Sequence, residues 1–119
     1  MAFDLDALAR HQTIDLTTTG RRTGERRTVE IWWFRVEDRF VITGTPGRRD
    51  WLANVLADPN VEITVGGRTF GATVTLVGDP DFRRRVFTDS ATSWYKSQAE
   101  LDRLVTTAPM IEITFADEG

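Results

Sequence analysis

The segment Thr18-Thr-Gly-Arg-Arg-Thr-Gly-Glu-Arg-Arg-Thr-Val-Glu30 places four arginines around a turn that carries two glycines. The β-branched run from Thr13 to Thr19 reads as a strand, and Arg27 to Val36 reads as another, so the arginines sit at the tip of a β-hairpin. Gly20 and Gly24 accept backbone angles that other residues resist. The chain between the strands can therefore curl its amides into a nest for an anion. Arg21, Arg22 and Arg27 add forked, charge-assisted donors that match phosphate or carboxylate oxygens. The same residues also fit a solvated hairpin tip, because arginine supplies every basic residue except Lys96 and a charge run commonly faces water.

Working outward, the 119-residue length matches one domain able to bury a core without disulfides or a metal. With 40% hydrophobic and 28% charged residues the composition is that of a globular chain. No apolar run approaches the ~20 residues of a membrane span. Met-Ala-Phe-Asp-Leu-Asp has neither a basic leader nor an apolar signal core, and a cytoplasmic location is expected. The absence of cysteine excludes disulfides, thiol nucleophiles and thiolate metal sites. A net charge of −3, from 15 basic and 18 acidic residues, is unlike a general nucleic-acid binder. Positive charge is local instead, at the hairpin tip and at Arg48 and Arg49, which follow Pro46-Gly47. Two such turns facing one another make a pocket for a multiply charged small molecule.

A short amphipathic helix is expected at the start, with Asp4 as its cap and Phe3, Leu5 and Leu8 on one face. After the hairpin, Glu37-Asp38 leads into a strand from Arg39 to Thr45, ended by Gly44-Thr45-Pro46-Gly47. Trp51, Val55 and Leu56 give helical spacing over Asp50 to Ala57, stopped by Asp58-Pro59-Asn60. Strands follow at Val61 to Val65 and Thr69 to Val77, joined tightly by Gly66-Gly67. Pro80 starts a helix to about Phe87. Asp89 to Leu104 reads as loop and then helix, and Met110 to Phe115 alternates as a last strand. Six mostly antiparallel strands with rim helices predict an α+β fold, a closed or nearly closed β-barrel with the two arginine-bearing turns at one opening.

The order Thr-Gly-Arg-Arg-Thr-Gly, Arg27, Trp32-Trp33, a Gly/Pro loop, Asp50-Trp51-Leu52-Ala53-Asn54, Asp58-Pro59 and Val65-Gly66-Gly67-Arg68 resembles the deazaflavin-dependent nitroreductase family. That family binds coenzyme F420 on a split β-barrel. The resemblance covers roughly residues 16 to 77; residues 78 to 119 match in layout only. It implies that Arg21, Arg22, Thr23 and Arg27 grip the phosphate and polyglutamate tail of the cofactor. It places the backbone of Gly44, Thr45, Pro46 and Gly47 beside the deazaflavin ring, with Arg48 and Arg49 near the ring's polar edge. Trp51 and Asn54 then open the helix that walls the site, and Trp32 faces the ring. Where the family commonly has Asn-Pro, this chain has Val29-Glu30, and its loop after the third strand is shorter. Glu30 beside an anionic tail is unfavourable, so it is expected to turn away or to pair with an arginine.

Trp32 and Trp33 are strand neighbours and point to opposite faces, so one of them lines a pocket, an interface or solvent. Trp32 is assigned that role. His11 has no second histidine or nearby carboxylate at ligand spacing, which leaves no metal site, and a nucleophilic triad fails for want of partners. Rossmann and P-loop fingerprints are absent. Trp94 is expected mainly to pack while adjoining the substrate, and the Tyr95 hydroxyl to orient an acceptor oxygen. Arg83-Arg84-Arg85 reads as the solvated side of a helix.

The resemblance implies an F420-dependent reductase whose cofactor carries the hydride chemistry. Its acceptor is an electron-poor quinone, enone or nitro-aromatic, held by Trp32, Trp94 and Tyr95. Two alternatives stand beside it: an FMN or haem protein on the same barrel, and a non-catalytic module that holds F420 or an acidic lipid. Pairing through a sheet face into a homodimer is expected.

Overall fold

The first hairpin forms where the residue pattern places it. In the computed structural model, which describes residues 5–47 and 49–116, β1 (Thr13–Thr19) pairs antiparallel with β2 (Arg26–Trp32), from Thr13 opposite Trp32 to Thr19 opposite Arg26. Ile14, Leu16 and Thr18 of β1 turn into the core, as strand alternation dictates. The chain continues through β3 (Phe34–Val36), β4 (Arg39–Thr43), α2 (Asp50–Ala57), β5 (Asn60–Val65), β6 (Arg68–Leu76), α3 (Pro80–Thr88), a 3-10 helix (Ser90–Ser97), α4 (Leu101–Thr107) and β7 (Met110–Phe115). Helix α1 (Leu5–Ala9) precedes them; its expected cap Asp4 and Phe3 lie outside the described residues.

The strands form one curled antiparallel sheet in the order β2-β1-β5-β6-β7-β4-β3, the split-barrel arrangement expected. It has seven strands among the described residues, not six, because the run from Arg27 to Val36 breaks at Trp33. Trp33 is buried and stacks on Phe40 with ring centroids 4.3 Å apart. Its indole N–H donates to the His11 carbonyl at 2.7 Å and its backbone N–H to the Gln12 carbonyl at 3.2 Å. Satisfying that side chain in the core bends the chain, so β2 ends one edge of the sheet and β3 the other.

Two apolar clusters pack on the two faces of β4. Phe40 and Ile42 join Ile14, Leu16, Ile63 and Val55 under α2, whereas Val41 faces Phe82, Val86, Phe87 and Met110 under α3 and α4. The β5–β6 turn uses Gly66 and Gly67 at φ of 60° and 77°, as a two-residue hairpin requires. The β3–β4 turn asks the same of Glu37 and Asp38, at φ of 53° and 63°. Ion pairs secure it, Arg85 Nε to Glu37 at 2.6 Å and Arg35 to Asp38 at 3.1 Å. No helix among the described residues is long and apolar enough to cross a membrane.

Arg83 departs from the expected solvated face. Consecutive helical residues differ by about 100° in direction, so three arginines in a row cannot share one side. Arg84 and Arg85 face water and pair with Asp102 and Glu37, at 2.7 and 2.6 Å. Arg83 is buried, donating to the carbonyls of Val77 at 2.9 Å and Leu104 at 3.4 Å, and also to those of Val105 and Ala108. It caps the C-terminal end of α4, where unpaired carbonyls and the helix dipole favour a cation. Burial lowers its pKa. Arg83→Met strands these carbonyls away from water and is expected to cost about 2–4 kcal/mol of stability. Urea unfolding of the two proteins measures it.

Candidate functional site

The turn between β1 and β2 is closed by the Gly20 N–H on the Glu25 carbonyl at 2.7 Å and the Gly24 N–H on the Gly20 carbonyl at 2.9 Å. Gly24 holds φ at 75°, a conformation glycine adopts without strain. A side chain on Gly20 would meet the Glu25 carbonyl at 3.2 Å and Thr23 Oγ1 at 3.3 Å. The turn is thus built to be tight, with its arginines projecting around it.

The four arginines divide. Arg26 leaves the group, donating to Thr19 Oγ1 at 2.8 Å and Glu62 at 3.0 Å across the strands. Arg21 is fixed by α2: its backbone N–H and its Nη1 both donate to Asn54 Oδ1, at 3.2 and 3.0 Å. Asn54 is 5% exposed and turns its amide donor to buried Thr18 Oγ1 at 3.1 Å. Asp50 adds a looser contact to Arg21 at 3.7 Å. Among the described residues Arg27 pairs only with Glu25, at 3.6 Å in open solvent, a pairing worth little. Among the described residues, Arg22 has no partner.

Arg21, Arg22, Thr23 and Arg27 line one cavity of about 650 Å³ together with Thr18, Asp50 and Asn54. Three guanidinium groups against one aspartate leave it cationic. A second cavity of about 710 Å³ adjoins it, and Trp51 belongs to both walls. This second cavity is mostly apolar, with Ile31 and Trp32 from β2, Phe34 from β3, and Trp94 and Tyr95 from the 3-10 helix. Thr43, Gly44, Thr45, Arg49 and Glu30 complete its lining. Glu30 therefore stands away from the arginine cavity, as expected, and no arginine pairs with it among the described residues.

Arg49, the described arginine of the second basic corner, lines the second cavity and not the first. Arg49 Nη2 donates to the Thr45 carbonyl at 2.9 Å and to Thr45 Oγ1 at 3.3 Å, bracing its own loop. It lines the apolar cavity, which shares Trp51 with the cavity that Arg21 lines. Pro46 and Gly47 line neither cavity, and Arg48 lies outside the described residues. Among the described residues, Arg49 and the arginines of the first turn thus line two cavities of different character that share Trp51.

The aromatic pairs resolve as strand geometry requires: Trp33 is buried and Trp32 is 54% exposed at the cavity edge. In the 3-10 helix the expected roles reverse. Trp94 was expected to pack, yet it is 62% exposed, while Tyr95 is buried and its hydroxyl donates to the Thr43 carbonyl at 3.4 Å. A tight 3-10 turn sends neighbouring side chains in different directions, and Tyr95 takes the inward one, edge-on to Phe34 and Phe87. Burial raises the Tyr95 pKa and nearby Arg49 moderates the rise. Thr18 and Thr43 went unnoticed in the sequence because a strand threonine carries no signal of a buried polar role.

A sequence model of the F420H(2)-dependent quinone reductase family matches residues 6–110. The chain is similar to the F420H(2)-dependent quinone reductase Rv1261c of Mycobacterium tuberculosis, 39% identical over 75 residues, 58% of this chain and 50% of the relative. The chain spans about half the length of the curated relatives it matches. Among solved structures it is similar to an F420-H2 dependent reductase, with TM-score 0.65, 16% identity, and 87% and 95% of the two chains covered. A FAD-binding protein from Mesorhizobium loti aligns with TM-score 0.63 at 15% identity, over 98% of this chain and 91% of that one. At such identities these structures show the split-barrel fold alone.

Asn54→Leu removes the acceptor for Arg21 and leaves Thr18 without its buried partner. It is expected to cost about 2 kcal/mol in urea unfolding and to broaden the NMR signals of the Arg21 side chain. Tyr95 is the chain's sole tyrosine, so tyrosinate absorbance reads one group. Its titration midpoint is expected above the ordinary 10.0, and Arg49→Ala is expected to move it higher still.

Proposed function

The chain belongs to the F420H(2)-dependent quinone reductase family, and from that premise we propose that it is an F420-dependent oxidoreductase acting on an electron-poor acceptor such as a quinone, an enone or a nitro-aromatic. The observation that carries this reading is that a cationic cavity and an aromatic one adjoin, with Trp51 lining both. A ligand with an anionic end and a flat apolar end fits both at once.

The residues present suit such a cofactor. Arg22 has no partner among the described residues, and Arg27 has only its loose, exposed pairing with Glu25; both can therefore turn to phosphate or carboxylate oxygens. Arg21 is held in place by Asn54, so little rotamer freedom is lost when an anion arrives. Thr23 adds a hydroxyl to the same cavity. Bound F420 in its reduced form supplies a hydride from ring carbon 5. Trp51 and the backbone of Gly44 and Thr45 line the space for a flat ring, and Trp32, Trp94 and Tyr95 line the space for an acceptor. The Tyr95 hydroxyl stays protonated through neutral pH, since burial raises its pKa, and it can exchange its long bond to Thr43 for an acceptor oxygen. A cytoplasmic location belongs to the same reading.

Titrating F420 while following tryptophan fluorescence tests binding directly. Arg22→Ala and Arg27→Ala are each expected to weaken it by about tenfold, and added salt to weaken it further. Absence of saturable binding by the unaltered protein refutes the reading. Oxidation of reduced F420 that depends on added naphthoquinone then separates an enzyme from a protein that only binds.

A further inference from the structure

We propose that Arg49 is a catalytic residue on the acceptor side of the aromatic cavity, where its guanidinium and the Tyr95 hydroxyl hold the oxygen that gains negative charge as the acceptor is reduced. This rests on the reading of that cavity as the place of reduction. It narrows the acceptor to a quinone or an enone, whose reduction leaves charge on a carbonyl oxygen.

Local preference argues against an arginine at this position. Arg49 is the N-cap of α2, and its carbonyl accepts from the Ala53 N–H at 3.1 Å. N-caps favour a short side-chain acceptor, and the helix dipole disfavours a cation there. Arg49 makes no side-chain capping bond. A residue that breaks the local rule in this way is accounted for by what its side chain reaches.

It reaches back to the segment that follows β4. Nη2 donates to the Thr45 carbonyl at 2.9 Å and to Thr45 Oγ1 at 3.3 Å. The loop leaves room for the guanidinium, since a Cβ on Gly44 would lie 3.3 Å from Nη2 and one on Gly47 3.1 Å from Nη1. Thr45 is neutral, so this clasp aims the cation without itself neutralising it. Two residues earlier, the Thr43 carbonyl accepts from the Tyr95 hydroxyl at 3.4 Å. Arg49 is near enough to Tyr95 to moderate the rise in its pKa. Both side chains line the aromatic cavity, together with Phe34 and Trp51. A cation and an O–H donor, anchored to carbonyls two residues apart, thus border one mostly apolar space.

That pairing suits one event. As the acceptor takes up a hydride, a new bond to hydrogen forms and one π pair of the conjugated system moves onto a carbonyl oxygen. A proton from water then neutralises that oxygen, and the acceptor has gained the two electrons that reduced F420 supplies. Donors fixed in advance where the charge appears stabilise it without reorganising, and a guanidinium keeps its charge at every working pH.

4-Nitrophenol tests the site without the cofactor, because its yellow phenolate imitates the charged oxygen and its colour reports ionisation. Binding to the unaltered protein is expected to lower its apparent pKa by about one pH unit. Arg49→Gln should abolish the shift, and Arg49→Lys, which keeps the cation and loses the fork, should retain part of it. Tyr95→Phe should weaken phenolate binding about threefold. With reduced F420 and naphthoquinone, Arg49→Gln is expected to lower kcat about tenfold or more while leaving the affinity for F420 within about twofold of the parent. Thermal melting shows which variants are folded, and Arg49→Lys and Tyr95→Phe carry the test if Arg49→Gln is not. An unshifted nitrophenol pKa in the parent overturns the proposal, as does a shift lost in Arg22→Ala, which would put the phenolate in the arginine cavity. Equal loss in Arg49→Lys and Arg49→Gln marks a clasp for the loop alone and also overturns it. So does weaker F420 binding in Arg49→Gln with kcat intact, because Arg49 then serves the cofactor ring. If the parent shifts nitrophenol through Arg49 yet binds no F420, the oxyanion site stands and the F420 reading falls.

Discussion

The burial of Trp33 is the constraint from which the rest of the architecture follows. Its indole stacks on Phe40 and donates to the His11 carbonyl, and no straight strand from Arg27 to Val36 satisfies both contacts. The break there sends β2 to one end of the sheet and β3 to the other. Had the run stayed continuous, its two halves would have shared one place in the ladder, and the gap that holds the cavities would not exist. A single large aromatic with one polar atom thereby decides where the barrel is split.

Within that gap the division between polar and apolar is made by α2. Trp51 separates the two cavities, and Asn54, one turn further along on the same side of the helix, reaches Arg21 and Thr18. The helix contributes no charge of its own to the arginine cavity except Asp50. Its role is to hold one guanidinium still and leave Arg22 and Arg27 available. A buried amide with both ends satisfied suits this, because it adds direction without adding a competing anion.

The remote half of the molecule handles charge differently. Arg83 is held in the second apolar cluster by main-chain carbonyls alone among the described residues. Arg39, on β4, lies over the Phe82 ring at 3.6 Å and pairs with Glu112 at 2.6 Å, which raises its pKa. These contacts tie α3 and α4 to the sheet, and the 3-10 helix bearing Trp94 and Tyr95 runs between those two helices. The wall of the aromatic cavity is thus anchored by polar groups on its far side, leaving its inner face apolar.

Local chemistry was enough to locate most elements. Strand β1, helix α2 and the Gly66-Gly67 hairpin fall where β-branched runs, helical spacing and paired glycines put them, since short-range sterics dominate there. The cationic turn was equally plain, because glycine conformation and arginine charge are properties of the residues themselves. Long-range geometry settled what remained. Whether Arg83 faces water or carbonyls, whether Trp94 or Tyr95 turns inward, and whether Arg49 lines the same cavity as Arg21 or a different one all depend on residues distant in the chain. No local pattern encodes those separations; only closure of the sheet and packing of the helices upon it fixes them.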